Sequence, residues 1–344
     1  MATNKPPVDL MDSSPLVFGF DAGTMNMVCS RQNDKEIATK SLRNVFLPVD
    51  EEGVISGDMS NISHIKSDDG VFIIGDDAYR MANIFGKEVR RPMNMGLISS
   101  SDIDSIDVLA MMVKSLVGKS KNGTCVFSVP APSIDTDNDI TYHTGVFKRI
   151  FTELGFRAIP FNEAMAVVYN ECQDENFTGL AFSFGAGLSN VTLSYKSVQV
   201  LSFSVARGGD WIDRSVARAI GTVPNRVTSI KERNTDLSNY KIGNKKERRI
   251  REAIVYYYQE LIEYSLMHVK KNLELEMDNI DLPEEVPIVV SGGTSLATGF
   301  MEFFSGIVEK SSDFPFSIKS IKPASNALTC VAEGCLIKAL SEVS

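Results

Sequence analysis

Histidine is scarce in this sequence: three residues, His64, His143 and His268, in a chain of 344. That scarcity excludes a histidine-rich metal centre. The five cysteines, at positions 29, 125, 172, 330 and 335, are odd in number and lack the paired spacing of a zinc module. Neither a disulfide framework nor a metal finger is expected, and a reducing cytoplasm is the expected setting. No run nears the ~20 apolar residues that span a bilayer as a helix. The opening MATNKPPVDLMDSSP has no apolar stretch of the kind a secretory leader carries, so no leader is expected and residues 1–15 read as a flexible arm. Basic residues are in deficit, 35 Lys and Arg against 44 Asp and Glu, for a net charge of −9. An acidic surface disfavours nucleic acid and anionic membranes as partners. With 43% apolar and 23% charged residues the chain is not globally disordered, and its length suits two or three core-forming units.

Two short phrases organise what is present. FGFDAGTMNM (Phe18–Met27) reads as an apolar strand, a glycine turn and a second strand; FSFGAGLSNV (Phe182–Val191) nearly repeats it, at an offset of 164. A glycine-rich hairpin turn presents several backbone N–H groups in one direction without side-chain obstruction. Taken alone, such a turn does no more than close a hairpin. Two of them facing each other form a grip for a triphosphate, which places Gly23, Thr24, Met25 and Asn26 on one side and Gly185, Ala186, Gly187 and Leu188 on the other. Asp21 adds a carboxylate beside which a hydrated Mg²⁺ fits, since magnesium keeps several waters and needs only one or two carboxylates.

Further along, AIPFNEAMAVVYN reads as a strand followed by a helix capped by Asn162. Glu163 in the first turn of that helix complements its dipole, and is also placed to orient a water for attack on a terminal phosphate. VPIVVSGGTSLATGF reads as a buried strand, a Gly292–Gly293 turn leading past Thr294, and a helix start, where a flat base could pack on backbone. RGGDWID (Arg207–Asp213) places Gly208 and Gly209 in a further turn beside carboxylates. The spacing of apolar residues predicts helices over Ser105–Val117, near Ala78–Phe85, through the long 250–275 stretch, and over the C-terminal CVAEGCLIKALSEV. The basic run Lys245, Lys246, Arg248, Arg249, Arg251 is interleaved with Glu247 and Glu252 and reads as a solvated helix face. Trp211 and Tyr256–Tyr258 read as core or subunit-contact residues. PAPS (Pro130–Ser133) reads as a hinge between the two halves.

In this order, these motifs resemble the actin-like ATPase superfamily, and most closely its bacterial members of the MreB and MamK type. FDAGTMN and FSFGAGLSNVTL resemble its two phosphate loops, NEAMAVV the connecting helix, and GGDWID and SGGTSLATGF its later motifs. VRRPMNMGLI (Val89–Ile98) and NALTCVAEGCLIKAL (Asn326–Leu340) are similar to MreB segments. The resemblance implies an α/β fold of two RNase H-like domains around a nucleotide cleft, each with a smaller subdomain. Domain I would span 16–165 with an insertion at about 33–90. Domain II would span 166–320 with an insertion at about 211–284, and 321–344 would return to domain I as a helix. It further implies ATP as ligand, Mg²⁺ held through Asp21, Glu163 and Asp21 as the catalytic residues, a nucleoside contact from Lys231, and self-association into cytoskeletal filaments in the cytoplasm.

The sequence departs from that pattern where the chemistry is most sensitive. The aspartate that opens the second phosphate loop is replaced by Ser183. The threonine after its last glycine is replaced by Leu188, with Ser189 as a partial substitute, and the acidic residue three before Lys231 is Thr228. Slow or impaired hydrolysis is therefore expected, with a weak ATPase at most. The alternatives are a nucleotide-binding scaffold that does not polymerise and, on the same fold, a small-molecule kinase. No carboxylate placed to accept a substrate hydroxyl proton favours the kinase. The arm at 1–15 has too few large apolar residues for a membrane-binding helix.

Overall fold

A computed structural model of the chain describes residues 16–33, 36–49, 61–67, 70–99, 104–137, 139–241, 244–276, 284–311 and 314–343. The arm expected at 1–15 lies outside them, as do parts of both expected insertions.

The first sheet is built from β1 (Val17–Ala22), β2 (Asn26–Asn33), β3 (Glu36–Arg43), β9 (Gly123–Val129) and β10 (Phe156–Asn162), in the order β10-β9-β1-β2-β3. β1, β2 and β3 are antiparallel neighbours, while β9 and β10 run parallel to β1. The second sheet repeats this plan with β11 (Gly179–Phe184), β12 (Ser189–Tyr195), β13 (Val198–Val205), β14 (Glu285–Ser291) and β15 (Ser317–Pro323), in the order β13-β12-β11-β14-β15. Again the hairpin strands are antiparallel and the last two parallel. The repeat in the sequence is thus a repeat of topology, with one correction to its register. Ala22 pairs with Met27 where Phe184 pairs with Ser189, so the two ladders superpose at a shift of 162, not 164. The matching letters align phenylalanines and glycines, but hydrogen bonding counts from the turn. At the true register Asp21 corresponds to Ser183.

Each sheet has its own core. Phe20, Phe127, Phe147 and Phe151 interlock over the first, joined by α2 (Asp104–Val117) and α3 (Ile140–Glu153). Phe182, Phe184, Phe300 and Phe304 do the same over the second, joined by α5 (Gly209–Ile220), α7 (Lys245–Glu276) and α8 (Phe300–Lys310). In α7 the buried Ile250, Ile254, Tyr258, Leu261, Val269 and Leu273 recur at helical spacing, which is the apolar stripe that fixes this 32-residue helix against the sheet,. A smaller unit follows β3: β4 (Phe46–Val49), β5 (His64–Ser67) and β6 (Gly70–Ile74) under α1 (Gly75–Phe85). Next comes a two-stranded hairpin, β7 (Met93–Asn94) and β8 (Leu97–Ile98). α6 (Pro224–Asn234) joins α5 to α7.

Between the two sheets lies a third apolar cluster of small side chains. It draws Ala164, Ala166 and Val168 from α4 (Glu163–Glu171), Val331 and Cys335 from α9 (Cys330–Ser341), Val126 from the first sheet and Ala181 and Val289 from the second. Gly334 carries the approach of α9 to α4: a Cβ there would collide with the Ala166 carbonyl oxygen. The C-terminal helix therefore packs back against the first half of the chain.

Two expectations change in detail. Pro130–Ser133 does not carry the chain between the sheets. It joins β9 to α3, both on the first, and reaches the second by hydrogen bonds: Ser204 N–H to Pro132 O at 2.9 Å, Ile134 N–H to Ser204 O at 3.0 Å, and Ala131 N–H to Asn190 Oδ1 at 2.9 Å. This segment pairs with the free edge of β13 and caps it; the covalent crossings run through α4 and into α9. Second, Gly292–Gly293 does not open a helix directly. Gly293–Leu296 forms a single 3-10 turn, and Gly299 in the left-handed region (φ 76°) turns the chain again before α8 begins.

Candidate functional site

The turn after β1 and the turn after β11 face each other across one cavity of about 660 Å³, a size suited to a small-molecule ligand. Asp21, Gly23, Thr24, Met25 and Asn26 line one side. Glu163, Gly185, Ala186, Gly187, Leu188, Gly209, Lys231, Gly292, Gly293 and Thr294 line the rest. The two turns touch at the rim, where a Cβ on Gly187 would come 2.6 Å from Thr24 Oγ1; no larger residue fits there. Of the residues expected at the site, Ser189 and Gly208 are the ones not brought to the wall. The buried Ser189 hydroxyl donates to Arg207 O at 2.7 Å, so it is turned away from where Leu188 has displaced a threonine. Gly208 lies behind the second turn, against the carbonyls of Gly185 and Ala186.

Each turn is braced from outside. Asn44, which no sequence signal marked, donates through its side chain to Gly23 O at 3.1 Å and through its backbone N–H to Met25 O at 2.8 Å. Gly185 O and Ala186 O accept from the first N–H groups of α5, Gly209 at 3.0 Å and Asp210 at 2.9 Å. Thr294 Oγ1 also donates to Gly185 O, at 2.8 Å. The N–H groups at a helix start have no partner inside the helix, so clipping them to these carbonyls fixes the turn. Gly292 sits at φ 90°, and a Cβ on it would press into the backbone of Phe184. This wall is therefore bare backbone by necessity.

The floor of the cavity carries the two carboxylates. Ser128, at the end of β9 beside β1, accepts from Ala22 N–H at 2.9 Å and donates to Asp21 Oδ1 at 2.9 Å. Ser183 donates to Glu163 Oε1 at 2.7 Å. Glu163 begins α4, whose cap Asn162 accepts from Met165 N–H at 3.0 Å and is itself tied to Thr192 and Ser202. Enclosure by protein raises both carboxyls above their ordinary range. For Glu163 the neighbouring Asp21 charge adds to the enclosure, and for Asp21 the Ser128 bond partly opposes it. In the metal-free cleft both acids therefore favour their protonated forms,. Among the described residues no group of three or more His, Cys, Asp or Glu is placed to hold a metal. A pair of carboxylates suits a hydrated magnesium ion completed by phosphate oxygens, and no zinc-type cage.

Lys231 is held at the wall, donating to Gly209 O and Asp213 Oδ2 at 2.9 Å each. Thr228 donates to the same Asp213 oxygen at 2.7 Å. Across the mouth, Arg91 from the first half bridges Asp210 of α5 and Tyr79 of α1, both at 3.0 Å. Beside it the tip of the β7–β8 hairpin packs Gly96 against the Leu188 side chain.

A matched pair of five-stranded sheets, each contributing a glycine hairpin turn to one cleft, with two helices packed between them, is the actin-like ATPase fold. More narrowly, the family model described as Volactin matches residues 16–339, and the chain belongs to that family. No curated protein matches the sequence. Among solved structures, the MamK double helical filament superposes with a TM-score of 0.64 at 16% identity, covering 96% of this chain and 99% of that one. MreB 5 of Spiroplasma citri bound to AMPPNP gives 0.64 at 16% identity over 96% and 98%. The ethanolamine utilization protein EutJ from Carboxydothermus hydrogenoformans gives 0.53 at 15% identity over 96% and 91%. At such identities the likeness is one of fold. Among the described residues no helix is long and apolar enough to cross a membrane.

Proposed function

We propose that this protein binds a nucleoside triphosphate, ATP in the first instance, between the two glycine turns, and that binding governs its self-association into filaments. The observation that carries the reading is the meeting of Thr24 and Gly187 over a cavity floored by Asp21 and Glu163. The backbone N–H groups of both turns would hold the phosphates, Asp21 the water shell of the metal, and Lys231, Gly292 and Gly293 the nucleoside. Magnesium, when bound, neutralises charge on the phosphate oxygens and so relieves the repulsion between the two acids. Glu163 would orient the attacking water. The two sheet units, read as domains 16–165 and 166–320 with 321–344 returning to the first, would close on the ligand about the α4–α9 layer. A ligand that prefers the closed state shifts the population toward it. Self-association rests on the Volactin family's actin-like fold and on a relative of that fold, MamK, seen as a double helical filament. Sedimentation of the purified protein with and without Mg-ATP tests it, with electron microscopy of the pellet. Pelleting only with nucleotide supports the proposal. Nucleotide binding without pelleting favours the scaffold reading instead, in which the protein holds ligand and stays monomeric.

Hydrolysis should be slow. At the true register of the repeat the acid opposite Asp21 is missing, and Ser183 in its place spends its hydroxyl on Glu163. Ser183→Asp is expected to raise the steady-state ATPase rate about tenfold or more, since one well-placed charged group is worth that much at a reacting centre. In metal-free buffer the same variant should be less stable than the wild type, because it adds a third carboxylate to a site that resists two. An unchanged rate with magnesium would count against this account of the slow turnover.

A further inference from the structure

The two ends of α7 carry charge of the sign that the helix itself disfavours. A helix is positive at its N-terminus and negative at its C-terminus, so acids suit its start and cations its end. α7 opens on Lys245 and Lys246, with Glu247 as the one acid of its first turn, and its last turn holds no basic residue. The stretch 244–251 has five bases and one acid, whereas 274–285 has six acids and no base. Local pairing takes up part of this charge: Arg248 meets Glu252 at 3.6 Å and Arg251 meets Glu247 at 3.9 Å. Lys245, Lys246 and Arg249 are exposed and have no acidic partner among the described residues. Glu274 and Glu284, also exposed, have no basic partner among them.

Both ends are fixed places on the second half of the chain. At the start, Asn244 Oδ1 accepts from Lys246 N–H at 3.1 Å and Glu247 N–H at 3.0 Å, which caps the helix,. At the other end Lys270 lies over the Phe314 ring, Phe314 stacks on Phe316, and the next residue, Ser317, donates its N–H to Glu284 O at 2.8 Å. Glu284 therefore stands beside the last turns of α7, with Glu274. A helix of 32 residues separates the two ends by about 48 Å,. That is several screening lengths at physiological salt. The ends cannot neutralise each other within one chain, but they can between two.

We propose that the basic start of α7 docks on the acidic end of α7 in a second copy of this chain. Two complementary surfaces at opposite ends of one molecule make a heterologous contact, and such a contact, where it does not close into a ring, continues as a filament. The helix dipoles add to the attraction, because the positive start of one helix meets the negative end of the next. Charge also sets direction: start against start, or end against end, places like charges together. Charges that cost stability in the single chain are thus offset on assembly. The assignment rests on the self-association reading above and names the surface that carries it.

The test is sedimentation of the full-length protein with Mg-ATP, comparing the wild type with two charge reversals. One combines Lys245→Glu, Lys246→Glu and Arg249→Glu; the other combines Glu274→Lys and Glu284→Lys. None of these residues lines the cavity, so nucleotide affinity should stay at the wild-type value. The urea midpoint of each reversal should match or exceed the wild type's, since the new charges suit the helix dipole; lost assembly is then not lost folding. Each reversal alone is expected to raise the concentration needed for pelleting about tenfold or more. A mixture of the two should pellet again, acidic starts on basic ends and basic starts on acidic ends in alternation. Pelleting unchanged by either reversal overturns the contact. If the wild type, and not the Lys245 reversal, then retains duplex DNA or phosphatidylserine vesicles, the basic end serves a polyanion instead. A mixture that stays in solution overturns the contact as well, because the two ends are then not each other's partners. A wild type that never pellets removes the self-association reading and this assignment together. Should either combination not fold, Arg249→Glu and Glu284→Lys as single changes carry the same comparison.

Discussion

Glu163→Gln should abolish nucleotide turnover, slowing it about 10²–10⁴-fold, while leaving nucleotide affinity within a few-fold of wild type. Glutamine keeps the shape and can still accept from Ser183, whose hydroxyl lies 2.7 Å from Glu163 Oε1, but it cannot take a proton from water. The same variant has a second signature that a merely structural role would not give. The folded-state pKa of Glu163 is raised to about 8, above the value it has in an unfolded chain. For such an acid the unfolded state ionises first. The metal-free protein therefore loses stability as pH rises from the ordinary carboxylate range toward 8, and the loss is complete above it. Glutamine has no proton to lose, so once Asp21 has ionised, above about pH 6, the variant's denaturation midpoint should stay flat while the wild type's goes on falling. It should exceed the wild type's at pH 8 by an amount on the order of 1–2 kcal/mol, discounted because cavity water reaches both carboxyls. Magnesium with nucleotide should raise the wild type at high pH and do less for the variant. A wild-type midpoint independent of pH between 5 and 8 would show that the two acids do not constrain each other as described.

What the sequence disclosed of this site was the backbone. Glycine turns between apolar strands are legible because only glycine allows the close approach seen at Gly187 and the left-handed φ of Gly292,. The helix cap at Asn162 was equally plain, since an asparagine before Glu163 and an apolar helix has a local purpose. What stayed hidden depends on the third dimension. Ser128 clamps Asp21 from a strand about a hundred residues away, and nothing within its own neighbourhood distinguishes it from any strand serine. Asn44 braces the first turn from beyond β3. The shift of 162 was hidden for a related reason: phenylalanine and glycine letters can be matched two residues out of phase and still preserve the alternation of inward and outward side chains. Pro130–Ser133 read as a hinge because proline at a strand end breaks pairing; that it would pair with the edge of a different sheet is not written in four residues. Even the departures at Ser183 and Leu188 were legible only as absences. Their new occupations, a bond to Glu163 and a seat on Gly96, belong to the packing.

Gly334→Ala should be among the most destabilising single-methyl changes available in this chain, by about 3–5 kcal/mol, and its sign is what makes it informative. Alanine in place of glycine inside a helix ordinarily stabilises by about 1 kcal/mol. The chain carries its own controls: Gly145 in α3 and Gly306 in α8 are helical glycines around which an added Cβ meets nothing within 4 Å. Gly145→Ala and Gly306→Ala should therefore raise the urea midpoint. At Gly334 the added carbon lands on the backbone of Ala166, whose Cα would lie 3.0 Å away. Backbone cannot turn aside as a side chain can, so α9 must lift from α4. That lift opens the small-residue cluster which joins the two sheets, and Glu163, at the head of α4, moves with it. Gly334→Ala should then lose nucleotide binding together with stability, whereas the two controls keep both. If all three variants shift the midpoint upward alike, α9 does not seat on α4 at the distance described. The cleft would then need some other layer to hold its walls in register.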